Sequence, residues 1–263
     1  MFPSWRKSKI FLKTGALSFC ALAAACSQAP PSAGVSMAIP GQFARQIVRE
    51  RLSAVVVTSR EELGSWLRRR FDKSSAPSDA DGGSATPITS DGYFLTADHV
   101  LFRSENKNIF IIYDSGGRIV TGKARIVWRS SFADDLALLH IPFETPYHYK
   151  WTPPDQWLRL GHGVIHGGVA TGQGTSPGKL RTPLAPEGAF TRTRAFKIDI
   201  QLKPGDSGGP VVDAFGNLVG INSAVEFLIP LETAIFMDSE GNRPSIRKIA
   251  AIIDQDRKDR MSR

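Results

Sequence analysis

The chain has 263 residues, 41% hydrophobic and 22% charged, enough for one or two globular domains with a substantial core. Its formal charge of +8 includes Arg6, Lys7, Lys9 and Lys13 from an acid-free start, and without them the excess is +4. That balance describes a solvated surface. With no zinc-finger spacing and no arginine-rich array with interleaved aromatics, it excludes a nucleic-acid partner.

In chain order, "MFPSWRKSKIFLK" is a basic head and "TGALSFCALAAA" an apolar run too short to span a bilayer comfortably, so 1–25 reads as an export signal. It leads into "LAAACSQ", which resembles the lipobox of bacterial lipoproteins, although Ala23 holds the place of the usual large aliphatic residue and Leu22 lies one further out. The resemblance implies lipidation of Cys26 as the mature N-terminus. A plain cleaved signal peptide and an uncleaved anchor are the alternatives. Ser27, a non-aspartate, then implies anchoring at the outer membrane on its periplasmic side; without lipidation the protein is periplasmic or secreted. The two cysteines are Cys20 and Cys26, and the first lies within the apolar run, so an exported domain would depend on its core and not on a disulfide.

The Pro-rich, uncharged stretch 26–41 reads as a tether. Phe43, Ile47, Val48 and Leu52 fall near helical spacing, and "AVVVTS" follows as a strand. "EELGSWLRRRF" (Glu61 to Phe71) is expected to form a short helix with its arginines on a solvated face, and "DKSSAPSDADGGS" a polar loop. Residues 42–84 thus form a lead-in to a β-rich region spanning 85–240. There "ATPITSDGYFLTADHV" and "NIFIIYDSGGRIVTGKARIVW" each place two apolar-rich runs about a turn, and "DDLALLHIP" adds a strand. A Pro-rich connector near 143–157 separates these from "GHGVIHGGVATG", "AFKIDIQL", "GPVVDAFGNLVGINSAV" and "ETAIFM". Two groups of short strands predict an all-β fold of two barrels. A helix within 241–263, begun after "RPS", presents Ile246, Ile249, Ala250 and Ile253 on one face, expected against the second barrel.

"KPGDSGGPVVD" (Lys203 to Asp213) places a serine between an aspartate and two glycines, directly before an apolar strand. It is either a tight surface turn or a nucleophile on a turn whose backbone N–H groups can bind an oxyanion. A nucleophile needs a base, and a base needs an orienting acid. Of the five histidines, His99 ends "GYFLTADHV", while Asp135 in "DDLALL" opens an apolar strand. Asp134 is a rival acid. His140 alternates within a strand and reads as structural. His162 and His166, four apart, lack a third ligand at a familiar spacing, so no metal site is assigned.

Together, "LTADHV", "DLALL" and "PGDSGGPVV", in this order, resemble the His, Asp and Ser blocks of the chymotrypsin-like (trypsin-fold) serine proteases, and most closely bacterial HtrA/Deg-type members. The likeness covers roughly Ala85 to Met237. It implies two six-stranded antiparallel β-barrels, a serine endopeptidase acting on protein or peptide substrates without a cofactor, His99 as base and then acid, Asp135 as its orienting acid, and Ser207 as nucleophile. It also implies an oxyanion hole from the Gly205 and Ser207 N–H groups. By the same likeness Gln201 lies at the bottom of the primary pocket and Ser223, Ala224 and Val225 along its wall, which implies cleavage after small or medium aliphatic residues. The chain departs from HtrA enzymes in having Asp206 where they usually have asparagine, His166-Gly-Gly-Val in place of a Gly-Asn-Pro-like turn, and no room for a PDZ domain. In the trypsin branch an aspartate at this place commonly pairs with a freed N-terminus. No activation site is evident, so Asp206 is expected to bond to a cation or to backbone amides. Two other readings are a catalytically silent protease-fold lipoprotein serving as a binding or scaffold module, and an esterase, since "GDSGG" formally fits GxSxG.

Overall fold

A computed structural model describes residues 38–63, 80–115, 117–131, 134–172, 176–188, 192–228 and 235–262, with side chains at 225–228 and 235 excepted. The expected signal segment, Cys26, most of the tether, and 64–71 of the expected Glu61–Phe71 helix lie outside the described residues.

Helix α1 (Gln42–Glu50) precedes six strands: β1 (Ser53–Thr58), β2 (Asp81–Pro87), β3 (Tyr93–Thr96), β4 (Asn108–Ser115), β5 (Arg118–Arg129) and β6 (Ala137–His140). They pair antiparallel in the order β1-β2-β3-β6-β5-β4 and close into a barrel. A second six-stranded sheet contains β7 (Gly163–His166), β8 (Gly178–Lys179), β9 (Arg194–Ile198), β10 (Pro210–Asp213), β11 (Leu218–Leu228) and β12 (Ile235–Arg243), ordered β8-β7-β10-β11-β12-β9. Its ends meet through a Leu180–Ile198 bridge and an Asp199 N–H to Lys179 O bond of 3.2 Å, so this sheet is also barrel-like. Helix α2 (Ile246–Met261) completes the chain.

Alternation along the strands divides side chains between three cores. Phe94, Leu139, Ile109 and Ile111 fill the first barrel, while Val164, Phe196, Val211 and Val219 fill the second. The opposite faces supply Tyr93, Leu95, Leu138, Ile165, Val212 and Ile221 to a cluster between the barrels, which also holds Ala44, Val48 and Tyr149. The connector is tied down along its length. Tyr149 N–H donates to Pro87 O (2.9 Å), and the Tyr113 hydroxyl donates to Tyr147 O (2.9 Å).

Three expectations need correction. The "DGGS" end of the expected polar loop is the start of β2, whose backbone pairs with β1 from Val57↔Asp81 to Ala54↔Ser84. Backbone pairing needs no apolar side chain, and a Cβ at Gly83 would stand 2.8 Å from Ser207 O, so small residues suit this stretch. β1 is accordingly a strand of the first barrel, not a lead-in to it. At the other end, β12 continues to Arg243, past the expected limit at 240, while α2 begins after Ser245 as expected, the Ser245 hydroxyl accepting from Lys248 N–H at 3.1 Å. Finally, α2 is not confined to the second barrel. Ile249 and Ile253 enter the cluster shared by both barrels, because charged residues further along the helix hold it to the first.

Candidate active site

His99 stands not on β3 itself but on the short 3-10 turn Asp98–Leu101 just after it. Val100 and Leu101 of that turn are buried in the first barrel, which leaves the imidazole half-exposed toward a cleft. Asp98 makes a two-point ion pair with Arg129 (2.6 and 3.0 Å), tying the turn to β5.

Asp135 precedes β6 by two residues and adopts a left-handed conformation, φ 43°. Aspartate tolerates that region better than most residues. The geometry brings its carboxylate under the histidine: His99 Nδ1 lies 2.9 Å from Oδ2 and 3.1 Å from Oδ1, and the His99 backbone N–H donates to Oδ1 at 2.9 Å. The Ser223 hydroxyl of β11 also donates to Oδ2. Burial alone would raise the Asp135 pKa, but the His99 ring, the Ser223 hydroxyl and the His99 N–H together hold it below the ordinary carboxylate value. The His99 pKa is raised above its usual 6.5, first by the hydrogen bond to Asp135 and against the effect of burial. Nδ1 therefore carries its proton toward Asp135, and Nε2 is left to face other groups.

Ser207 comes from the second barrel, on the turn that enters β10. Gly205 and Gly208 beside it have φ of 104° and 86°. At 208 a side chain would also collide with Ser84 O and the Thr96 hydroxyl. Strand β2 grips this turn from the first barrel: Ser84 N–H donates to Ser207 O (2.8 Å), the Ser84 hydroxyl to Gly205 O (2.7 Å) and the Thr86 hydroxyl to Gly208 O (2.9 Å). The Ser207 hydroxyl donates to Ser223 O at 3.1 Å. A cleft of about 360 Å³ opens between the barrels, lined among others by His99, Phe102, Arg103, Asp81, Gly205 and Ser207.

The structure thus brings His99, Asp135 and Ser207 to one place, with the Gly205 and Ser207 backbone beside them. Of the expected pocket residues, two are exposed and one is buried. Gln201 and Ala224 are exposed, so neither lines an enclosed floor or wall. The side chain of Val225 lies outside those described. Ser223 is buried with its hydroxyl on Asp135. Ser84, Thr86 and Ser223 each bond across more than 80 positions of sequence, so no local pattern shows these roles.

Of the remaining candidates, His140 is buried against Tyr93 (ring centroids 4.6 Å apart) and takes a hydrogen bond from Arg260 at 2.9 Å. His162 and His166 are buried beside and on β7. Asp206 is fully buried and bonds to backbone amides, one of the two partners expected for it. The serine stands on a turn between β-barrel strands, not on a strand-to-helix elbow of an α/β sheet, so its formal GxSxG spacing does not make the fold that of an α/β-hydrolase esterase.

A family model described as "Trypsin-like peptidase domain" matches residues 83–221, more than half of the chain, and the protein belongs to that family. It is 30% identical over 162 residues to a "Probable periplasmic serine endoprotease DegP-like" of Rhizobium meliloti (strain 1021), covering 61% of this chain and 29% of the relative. It is 27% identical over 148 residues to the "Magnetosome formation protease MamE" of Paramagnetospirillum magneticum, covering 54% of this chain and 20% of that protein. These relatives are far longer than the matched region. Among solved structures, "HtrA-type protease AlgW with decapeptide" superposes with a TM-score of 0.57 at 23% identity, over 80% of this chain and 66% of that one. That likeness confirms the two-barrel trypsin-like fold with its C-terminal helix.

Proposed function

We propose that the protein is a serine endopeptidase of the bacterial envelope that cleaves peptide bonds through an acyl-enzyme. The observation that carries this reading is the meeting of the His99–Asp135 pair, from the first barrel, with Ser207, from the second, at a single cleft. In the proposed reaction the Ser207 hydroxyl leaves Ser223 O for His99 Nε2. As its proton passes to that nitrogen, Oγ bonds to the substrate carbonyl carbon. The carbonyl oxygen takes up negative charge and is bound by the Gly205 and Ser207 N–H groups. The C–N bond then breaks, and His99 returns the proton to the departing amine. Water repeats the sequence on the acyl-serine, releasing the acid. Asp135 stays ionised throughout and stabilises the imidazolium. Gln201, Ser223, Ala224 and Val225 are proposed to border the acyl-side subsite on or near β11. The periplasmic designation of the Rhizobium relative supports an envelope location, and the lipobox-like "LAAACSQ" supports an anchor on Cys26.

Ser207→Ala should lower turnover of a cleaved peptide by ~10⁶, and a fluorophosphonate should label the unmodified protein but not this variant. Undiminished hydrolysis by the variant would remove Ser207 as nucleophile. One observation favours the second reading, a silent binding module: the Ser207 hydroxyl rests on Ser223 O. Absence of fluorophosphonate labelling, with peptide binding retained, would decide for that module.

A further inference from the structure

Asp206, directly before Ser207, has no exposure to solvent. A buried carboxylate is costly unless donors surround it, and most of its donors come from one small turn. The Ala170 and Thr171 N–H groups donate to Oδ1 at 3.1 and 2.9 Å. The Thr171 hydroxyl and the Lys203 N–H (2.8 Å) donate to Oδ2. The turn is closed by Gly172 N–H to Gly168 O at 2.7 Å, and any side chain at Gly168 would run into the Asp206 carboxylate. The neighbouring Val169 N–H donates to the buried Ser84 hydroxyl at 2.9 Å, which in turn donates to Gly205 O. Three successive N–H groups of the turn therefore end on Asp206 or on Ser84, and both of these hold the 205–207 backbone.

The Gly205 carbonyl shares its planar peptide unit with the Asp206 N–H, which donates to Lys203 O at 2.9 Å, and the Gly205 and Ser207 N–H groups lie in the two flanking units, so holding this unit and the Asp206 side chain limits the rotation left to both. We propose that Thr171 and Ser84 are positioning residues, and that the 168–172 turn and strand β2 clamp the oxyanion-binding backbone from two sides, with the Asp206 carboxylate as the handle. The inference rests on the reading of Ser207 as nucleophile. It adds that the turn governs stabilisation of the transition state independently of the His99–Asp135 pair. With four donors already on the carboxylate, no ammonium group is required to hold it.

The clamp is tested with Thr171→Val, which keeps the side chain's shape without the hydroxyl, with Thr171→Ser, which keeps the hydroxyl, and with Ser84→Ala from the opposite side. Kinetics use a fluorogenic peptide selected on the unmodified protein, together with inhibition by a boronic acid built on the same peptide, which binds as a tetrahedral adduct. Thr171→Val and Ser84→Ala should each lower kcat by roughly ten- to hundredfold, the scale of a misplacement of about 1 Å. KM should stay within about twofold, and boronate affinity should fall by the factor that kcat falls, the mark of an interaction made only in the transition state. Thr171→Ser should restore kcat, and the inflection of the pH–rate profile should not move in any variant. Unchanged kcat in both Thr171→Val and Ser84→Ala would overturn the clamp, as would a loss carried by KM or one that Thr171→Ser fails to reverse. Should Thr171→Val not fold, Ser84→Ala and Thr171→Ser decide alone. Ser207→Ala is measured alongside: activity surviving there defeats the nucleophile, whereas activity lost there but intact in the clamp variants defeats only the clamp.

Discussion

At Asp135 two opposing effects meet, and hydrogen bonding wins over burial. Its donors keep the carboxylate ionised, and that charge in turn raises the His99 pKa above 6.5. The proposed base must be neutral, so kcat/KM should fall as pH drops through a value above 6.5 and level off on the alkaline side. Asp135→Asn removes the charge and permits the wrong tautomer. It should shift that inflection to lower pH and cut turnover by ~10⁴. An inflection in the variant at or above that of the unmodified protein would show that Asp135 does not set the His99 pKa. At this scale the three residues of the proposed triad were legible because each stands within a short motif. Ser223 was not legible as a carboxylate support, since its hydroxyl meets Asp135 only once the two barrels are joined.

Among the elements, α2 shows how charge fixes a helix whose apolar face is modest. Its N-terminus is covered by the Glu187 carboxylate, which accepts from Ile246 and Arg247 N–H at 3.1 and 3.2 Å, where the helix dipole favours an anion. Its far end is held by Arg257 on Asp91 (2.9 and 2.8 Å), by Asp256 on Arg125 and the Tyr93 hydroxyl (2.7 Å), and by Arg260 on His140. Burial, followed by the nearby Arg260 and Arg125, lowers the His140 pKa to about 4. Hydrogen bonds from Arg257 and Arg125 lower Asp91 and Asp256 to about 2. All three folded-state values lie below the ordinary ones, so their stabilisation is present at neutral pH and lost on acidification. Hydrogen-exchange protection of α2 should weaken from pH 6.5 toward about 4 through His140, and again from 3.8 toward about 2 through the two aspartates. The core strands β3 and β6 should hold through the first step, because partly exposed ion pairs are individually weak and govern local docking more than global stability. Protection of α2 that stayed flat across both windows would show that these contacts do not hold the helix.

For the molecule as a whole, the cluster between the barrels sets their relative position and hence the distance from His99 to Ser207. Ile253 is 4% exposed within that cluster. Ile253→Ala should destabilise the protein by about 2–5 kcal/mol, the range for deleting a large aliphatic side chain from a core. Urea denaturation would measure this. The same variant should lose turnover below its unfolding transition, since the barrels carry different members of the proposed triad. Full activity despite the loss of stability would mean that the cleft is set by the β2 contacts to the nucleophile turn alone.

Local chemistry made much of this readable in one dimension. Turn glycines and apolar runs announced most strands, Ser245 announced the start of α2, and three short motifs announced the candidate site, because each signal lies within a few residues of its effect. What needed three dimensions were features built from pairing between distant segments. A glycine-rich stretch became strand β2 because β1 supplied its backbone partners. Asp206 found most of its donors in a turn more than 30 positions away, and charges along α2 tied it to both barrels. Backbone hydrogen bonds and buried carboxylates take whatever complementary group the fold delivers, and that choice is invisible until the chain has closed on itself.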